Sequence, residues 1–217
     1  MTDATSMQPP QAGTGPSRRT AGAVVLALLA TLALTGLDLW SKDWMLEHIS
    51  RAPAVPHPVC QPDESGHIRM QRIPTRSIEL VPGYLEFRYA ENCGAAFGML
   101  RTAAPWVRNA VFGVAAIAAC LWLGFALWRG HGGRLFAAAV PLIASGALGN
   151  LADRIRYGYV VDFIRFHLEN RWEYPTFNVA DITITVGVVL LVLDGLRKPA
   201  TAPRQGAEPA GQPGAEA

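Results

Sequence analysis

Charge is scarce in this chain. Of its 217 residues only 17% are Asp, Glu, Lys or Arg, while 50% are hydrophobic, and the apolar residues fall in blocks. A soluble domain ordinarily carries about 25% charged residues, so the deficit argues for a chain whose solvent is partly lipid. Basic clusters are also missing: the net charge is +2 and the Lys and Arg residues are scattered, which leaves no electrostatic footprint for nucleic acid. Three cysteines cannot all pair within one chain. Cys120 lies midway along an apolar run and reads as a packing residue, whereas Cys60 and Cys93 share one loop and can pair if it lies in an oxidising compartment. No His-Glu-x-x-His occurs and His167 stands alone, which argues against a zinc enzyme.

What is present is four apolar blocks, Ala21–Trp40, Ala110–Trp128, Leu135–Leu151 and Ile182–Leu196. A helix needs about 20 apolar residues to span a bilayer. The first two blocks meet that length, and the last two meet it once interface residues are counted. Block one follows Arg18-Arg19, as in a signal peptide, but it is long for one and runs on without a small-x-small cleavage site, so it reads as an uncleaved span. Residues 1–20 and 198–217, rich in Pro, Gly, Ala and small polar groups, read as disordered tails flanking a membrane domain over 21–197. Four spans leave two large loops on one side, about 41–105 and 152–180. The first ends in an alternating stretch, Tyr84–Tyr89, that predicts a short strand after a Pro-Gly turn. Basic residues such as Arg19, Arg129, Arg134 and Arg197 mark the terminal side, yet the large loops carry more in total, so charge alone orients the protein weakly.

Two acids stand out. Asp162 and Asp181 each abut an apolar run, and an ionisable group at such a position is a functional-site hypothesis by default. The interval between them contains no span, so both lie on one face of the membrane. Two carboxylates sharing a poorly solvated site cannot both ionise easily; one keeps its proton and the pair can do acid–base work. The bland alternative is capping, with Asp162 at a turn and Asp181 at a helix N-terminus. Around them lie Asn92 and Gly94 in Asn92-Cys-Gly-Ala-Ala-Phe97, Asn150, Asp153 and Arg154 in Gly149-Asn-Leu-Ala-Asp-Arg154, and Asn178 in Phe177-Asn-Val-Ala-Asp181. Asp38 and Lys42 are spaced i, i+4 and read as a structural ion pair. Intramembrane carboxylates also mark ion pathways, so a small transporter or proton-relay protein is the alternative class.

The ordered set of these motifs with Val160-Val-Asp-Phe-Ile164, among four hydrophobic spans, closely resembles the lipoprotein signal peptidase (signal peptidase II) family over about residues 21–196. The resemblance implies an all-α integral membrane protein, four transmembrane helices with a small periplasmic β-rich cradle. It implies a monomeric, cofactor-free and metal-free aspartic endopeptidase that cleaves diacylglyceryl-modified prolipoproteins before the lipidated cysteine. Its place would be the bacterial inner membrane, among membrane lipids, with both termini cytoplasmic and the active site toward the periplasm. Asp162 and Asp181 would form the catalytic dyad, Asn92, Asn150, Arg154 and Asn178 would line the substrate cleft, and Asp38, Lys42, Gly94, Phe97 and Asp153 would support it. The segment from about 51 to 76 is longer than the family's usual first loop.

Overall fold

The protein is described here by a computed structural model, in residues 19–49, 76–94, 103–169 and 171–197. Phe97, Cys60, the long segment 51–75 and most of both tails lie outside the described residues. Within them four helices are long and apolar enough to cross a membrane. They are α1 (Ala21–His48), α2 (Pro105–Trp128), α3 (Arg134–Tyr157) and α4 (Val179–Leu196). Each apolar block predicted from sequence became one helix. Protein leaves most of their apolar surface uncovered: Leu26, Leu32, Val114, Leu121, Trp122 and Val192 are all more than half exposed, as expected where the surrounding phase is itself apolar.

The largest extension is in α1, which continues from Trp40 to His48. At 1.5 Å per residue its 28 residues span about 42 Å, well beyond a hydrocarbon core of about 30 Å. The additional turns are not decoration. Met45 and Ile49 join Tyr89, Val161 and Phe163 in a core cluster, so the end of α1 packs against a sheet that stands outside the bundle.

That sheet is antiparallel, in the order β1-β2-β3-β4, with β1 at Ile78–Val81, β2 at Leu85–Asn92, β3 at Val160–Leu168 and β4 at Trp172–Glu173. Of the strand predicted over Tyr84–Tyr89, Leu85–Tyr89 form the first part of β2 and Tyr84 belongs to the turn. The turn before it places Gly83 at φ 78°, a conformation glycine adopts without a Cβ penalty. β3 follows α3 through Gly158, which takes the left-handed conformation at the helix C-terminus and turns the chain directly into the sheet.

The two ends of the bundle are distinct. At one, the Arg19 guanidinium donates to the carbonyls of Gly132 and Gly133, each at 2.9 Å, and Asp194 accepts from the Gly133 amide at 2.9 Å. These bonds gather the start of α1, the α2–α3 connection and the end of α4. Thr20 caps α1 there. The sheet, the ends of α1 and α3 and the starts of α2 and α4 occupy the other end.

Candidate active site

Asp162 sits inside β3 and Asp181 in the first turn of α4. Their meeting follows from local backbone pairing. Phe177 bridges to Ile164, with its carbonyl accepting from the Phe163 and Ile164 amides at 3.0 and 2.8 Å. The chain that enters α4 is thereby laid along β3, one residue before Asn178.

Asn178 then joins the two acids. Its side-chain oxygen accepts from the Asp181 amide at 3.0 Å, while Asp181 Oδ2 accepts from the Asn178 amide at 3.2 Å, a reciprocal capping box. The same side chain donates Nδ2 to Asp162 Oδ1 at 2.7 Å. Capping and site-building are therefore not alternatives for Asp181. The cap fixes the carboxylate that Asn150 also bonds.

Each remaining carboxylate oxygen has an amide donor. Asn92 Nδ2 donates to Asp162 Oδ2 at 2.9 Å, and Asn150 Nδ2 donates to Asp181 Oδ1 at 2.9 Å. Asn92 pairs with Val160 across the sheet, so Asp162 is its diagonal neighbour on the same face, within reach of a long side chain. Gly94 turns its amide back onto Asn92 Oδ1 at 3.0 Å. Arg154 closes this side, donating to the carbonyls of Asn150 and Gly94, both at 3.1 Å, with its guanidinium over the Phe112 ring at 4.4 Å.

Behind the pair lies a buried ionic hub. Lys42 contacts Asp38 at 2.8 Å, Asp153 at 3.0 Å and Asn150 Oδ1 at 3.0 Å, and the three charged side chains are almost completely buried. The second oxygen of Asp38 accepts from the Ala180 amide at 2.8 Å, and Asp153 accepts from the Val161 amide at 3.0 Å. Ala180 precedes Asp181 and Val161 precedes Asp162, so each acid has the amide before it pinned by a carboxylate of the same hub. The predicted Asp38–Lys42 ion pair is one half of this arrangement. Close approach is needed to build it: a Cβ on Gly149 would overlap the Asp38 carboxylate, and one on Gly146 would overlap the Ala180 carbonyl.

The two acids differ in environment. Asp162 is 1% exposed and Asp181 is only partly covered. Burial, reinforced by the neighbouring Asp181 charge, holds the Asp162 carboxyl well above its usual range, against the opposing pull of Asn92 and Asn178.

Of the residues singled out from sequence, Asp162, Asp181, Asn92, Asn150, Asn178, Gly94 and Arg154 converge directly, and Asp38, Lys42 and Asp153 stand behind them. Phe97 lies outside the described residues. Cys93, between Asn92 and Gly94, is disulfide-bonded and Cys120 carries a free thiol. Sequence reasoning missed Arg108, which falls two residues before the apolar block that opens at Ala110, and Phe112, which reads as one more apolar residue of that block. It also missed the backbone amides of Val161 and Ala180, which leave no residue-type signal.

The fold and site thus define a multi-pass membrane protein that builds a carboxylate pair, one member buried and one partly covered, where a sheet meets the ends of its helices. The sequence model for signal peptidase (SPase) II matches residues 30–197, and the chain belongs to that family. Proteins described as lipoprotein signal peptidase are similar to it. The one from Burkholderia cenocepacia (strain HI2424) is 50% identical over 107 residues, covering 49% of this chain and 63% of that protein. Those from Ectopseudomonas mendocina (strain ymp) and Chromobacterium violaceum are 45% and 42% identical over 120 residues, covering 69% and 74% of their own lengths. The chain therefore spans under two thirds of the first of these relatives. Two solved bacterial membrane enzymes share the fold, with TM-scores of 0.62 and 0.59 at 21% and 23% identity, covering 90% and 86% of this chain and all of theirs.

Proposed function

We propose that this protein is an aspartic endopeptidase that removes the signal peptide from diacylglyceryl-modified prolipoproteins, with Asp162 and Asp181 as its catalytic pair. The observation that carries the reading is the Asn178 bridge, which ties one fully buried and one partly exposed carboxylate together from separate elements. The family and the names of its relatives supply the substrate class.

The asymmetry supports a division of roles. Asp162, with its raised pKa, holds the shared proton, and Asp181, nearer solvent, is the carboxylate. Asp181 takes a proton from water as the water oxygen attacks the scissile carbonyl carbon. Asp162 gives its proton to the carbonyl oxygen, and a tetrahedral diol forms. Return of a proton to the amide nitrogen as the C–N bond breaks releases the signal peptide with a new carboxyl group and the lipidated cysteine with a free α-amine. Asn92, Asn150 and Asn178 hold the pair in register, and Arg154 sets the local potential. Substrate reaches the site from lipid, between helices whose outer surfaces are apolar, while its peptide lies at the interface.

Two features support this sidedness. The Cys93 disulfide suits an oxidising compartment, which supports the periplasmic side of the inner membrane for the sheet. Arg19, Arg129, Arg134 and Arg197 gather at the opposite end, which supports cytoplasmic termini. A transporter reading is not favoured, because Asp38, Asp153, Asp162 and Asp181 form one cluster rather than a series along the bundle.

The test is cleavage of a lipid-modified prolipoprotein by purified full-length protein. Asp162→Asn and Asp181→Asn are each expected to lower kcat by about 10²–10⁴-fold, the usual weight of acid–base catalysis. Full activity in either variant removes the dyad assignment.

A further inference from the structure

Among the described residues, Arg108 is a buried cation that neither the dyad, the Lys42 hub nor the Arg165 triad uses. It lies in the first turns of α2 and is 1% exposed, yet neither Nη1 nor Nη2 has a hydrogen-bond partner. A guanidinium cannot shed its proton in a protein and carries five donors, so burying it with both terminal nitrogens unmatched is costly. The other buried, unpartnered side-chain nitrogens among the described residues are on Arg19, at the opposite end of the bundle, and His167, toward the far end of β3. Of the three, Arg108 alone is on a helix at the dyad's end.

Its position relative to the pair is set by Phe112. That ring lies under the Arg154 guanidinium, and Arg108 is four residues earlier, so both occupy one face of α2, turned toward α3. Helical side chains lean toward the N-terminus, which carries Arg108 beyond Phe112 toward the sheet. Arg154 in turn donates to the carbonyls of Asn150 and Gly94, residues whose other groups bond Asp181 and Asn92. With the dyad singly ionised, Asp38, Asp153 and the pair supply three negative charges against Lys42, Arg154 and Arg108. The cluster is neutral, so it favours an uncharged acceptor over an added anion.

We propose that Arg108 is a specificity-determining residue whose two terminal nitrogens pair with carbonyl oxygen of the bound substrate. This rests on the reading of the site as one that takes a lipidated peptide. Such a substrate offers carbonyl oxygen from two sources, the peptide backbone and the glycerol esters.

The experiment measures binding and cleavage separately. A fluorescent diacylglyceryl lipopeptide and its dialkyl-ether analogue, which keeps the hydrocarbon but lacks ester carbonyls, are titrated against full-length wild type, Arg108→Met and Arg108→Lys. Arg108→Met is expected to weaken binding of the ester lipopeptide by about 10–100-fold, the range for charged hydrogen bonds. Its thermal midpoint should equal or exceed that of wild type, because a costly buried charge is gone. If backbone carbonyl is the partner, Arg108→Met loses affinity for both probes alike. If ester carbonyl is the partner, wild type binds the ether probe as weakly as Arg108→Met binds either. Unchanged affinity in Arg108→Met, or full affinity in Arg108→Lys, overturns the proposal, as does a lowered thermal midpoint with affinity intact. Wild type that binds the lipopeptide without cleaving it defeats the endopeptidase reading and leaves the Arg108 result standing.

Discussion

Two triads of the same charge balance, one cation between two carboxylates, occupy different settings in this molecule. In one, Lys42 stands between Asp38 and Asp153, with both ion pairs about 1% exposed. In the other, Arg165 on β3 stands between Glu86 on β2 and Glu173 on β4, and Glu173 is half exposed. The Arg165 triad fastens three neighbouring strands side chain to side chain, and Arg165 holds the Glu173 carboxyl below its usual range. The Lys42 triad has fewer competitors from water and more to do. Its carboxylates reach past their lysine to the Val161 and Ala180 amides, and so fix the backbone beside each acid of the pair. The comparison teaches that burial, not the count of ion pairs, decides which cluster governs the site.

The largest effect expected from breaking this contrast is Lys42→Met. Removing one partner from a buried ionic group costs about 3–5 kcal/mol, here with two carboxylates left uncompensated. The thermal midpoint in detergent should fall sharply and cleavage should be lost with it; a midpoint near wild type would make the two triads equivalent. Gly149→Ala strikes the same hub without changing charge. A methyl pressed against Asp38 is expected to cost about 1–3 kcal/mol, the range for overpacking, and to lower kcat through displacement of Ala180 and Asp181. Unfolding and steady-state kinetics on one preparation would separate the two consequences.

A pH series sharpens the contrast further. Asp162 binds its proton more tightly folded than unfolded, because its folded pKa is raised. Its contribution to stability is therefore greatest below the usual carboxylate value of about 3.9 and is lost as pH rises toward the folded pKa. Asp162→Asn lacks this loss, so its thermal midpoint should gain on that of wild type as pH is raised through that window. Parallel curves would contradict the burial argument. The smallest effect belongs to the outer triad: Glu173→Gln should change stability by no more than about 1 kcal/mol, as for exposed ion pairs, and leave cleavage unchanged.

Much of this architecture was legible in the chain. The helices were visible because spanning segments must be long and apolar, and the β2 strand because Tyr84–Tyr89 alternates after a turn. β3 was hidden, since Val160-Val-Asp-Phe-Ile164 is equally apolar as strand or span flank. The last turns of α1 were hidden too. Trp44, Met45 and Ile49 earn their meaning only from a sheet far away in sequence.

The sequence by itself determined four membrane helices, one face shared by Asp162 and Asp181, and a family membership carried by motifs in order. Those properties are local or one-dimensional: segment length, spacing and residue type. Tertiary structure decided which amide serves which carboxylate oxygen, that Asp162 rather than Asp181 is fully buried, and that Lys42 links both acids through neighbouring backbone. Hydrogen-bond partners and burial depend on distances between residues up to 142 positions apart, and no local pattern encodes those.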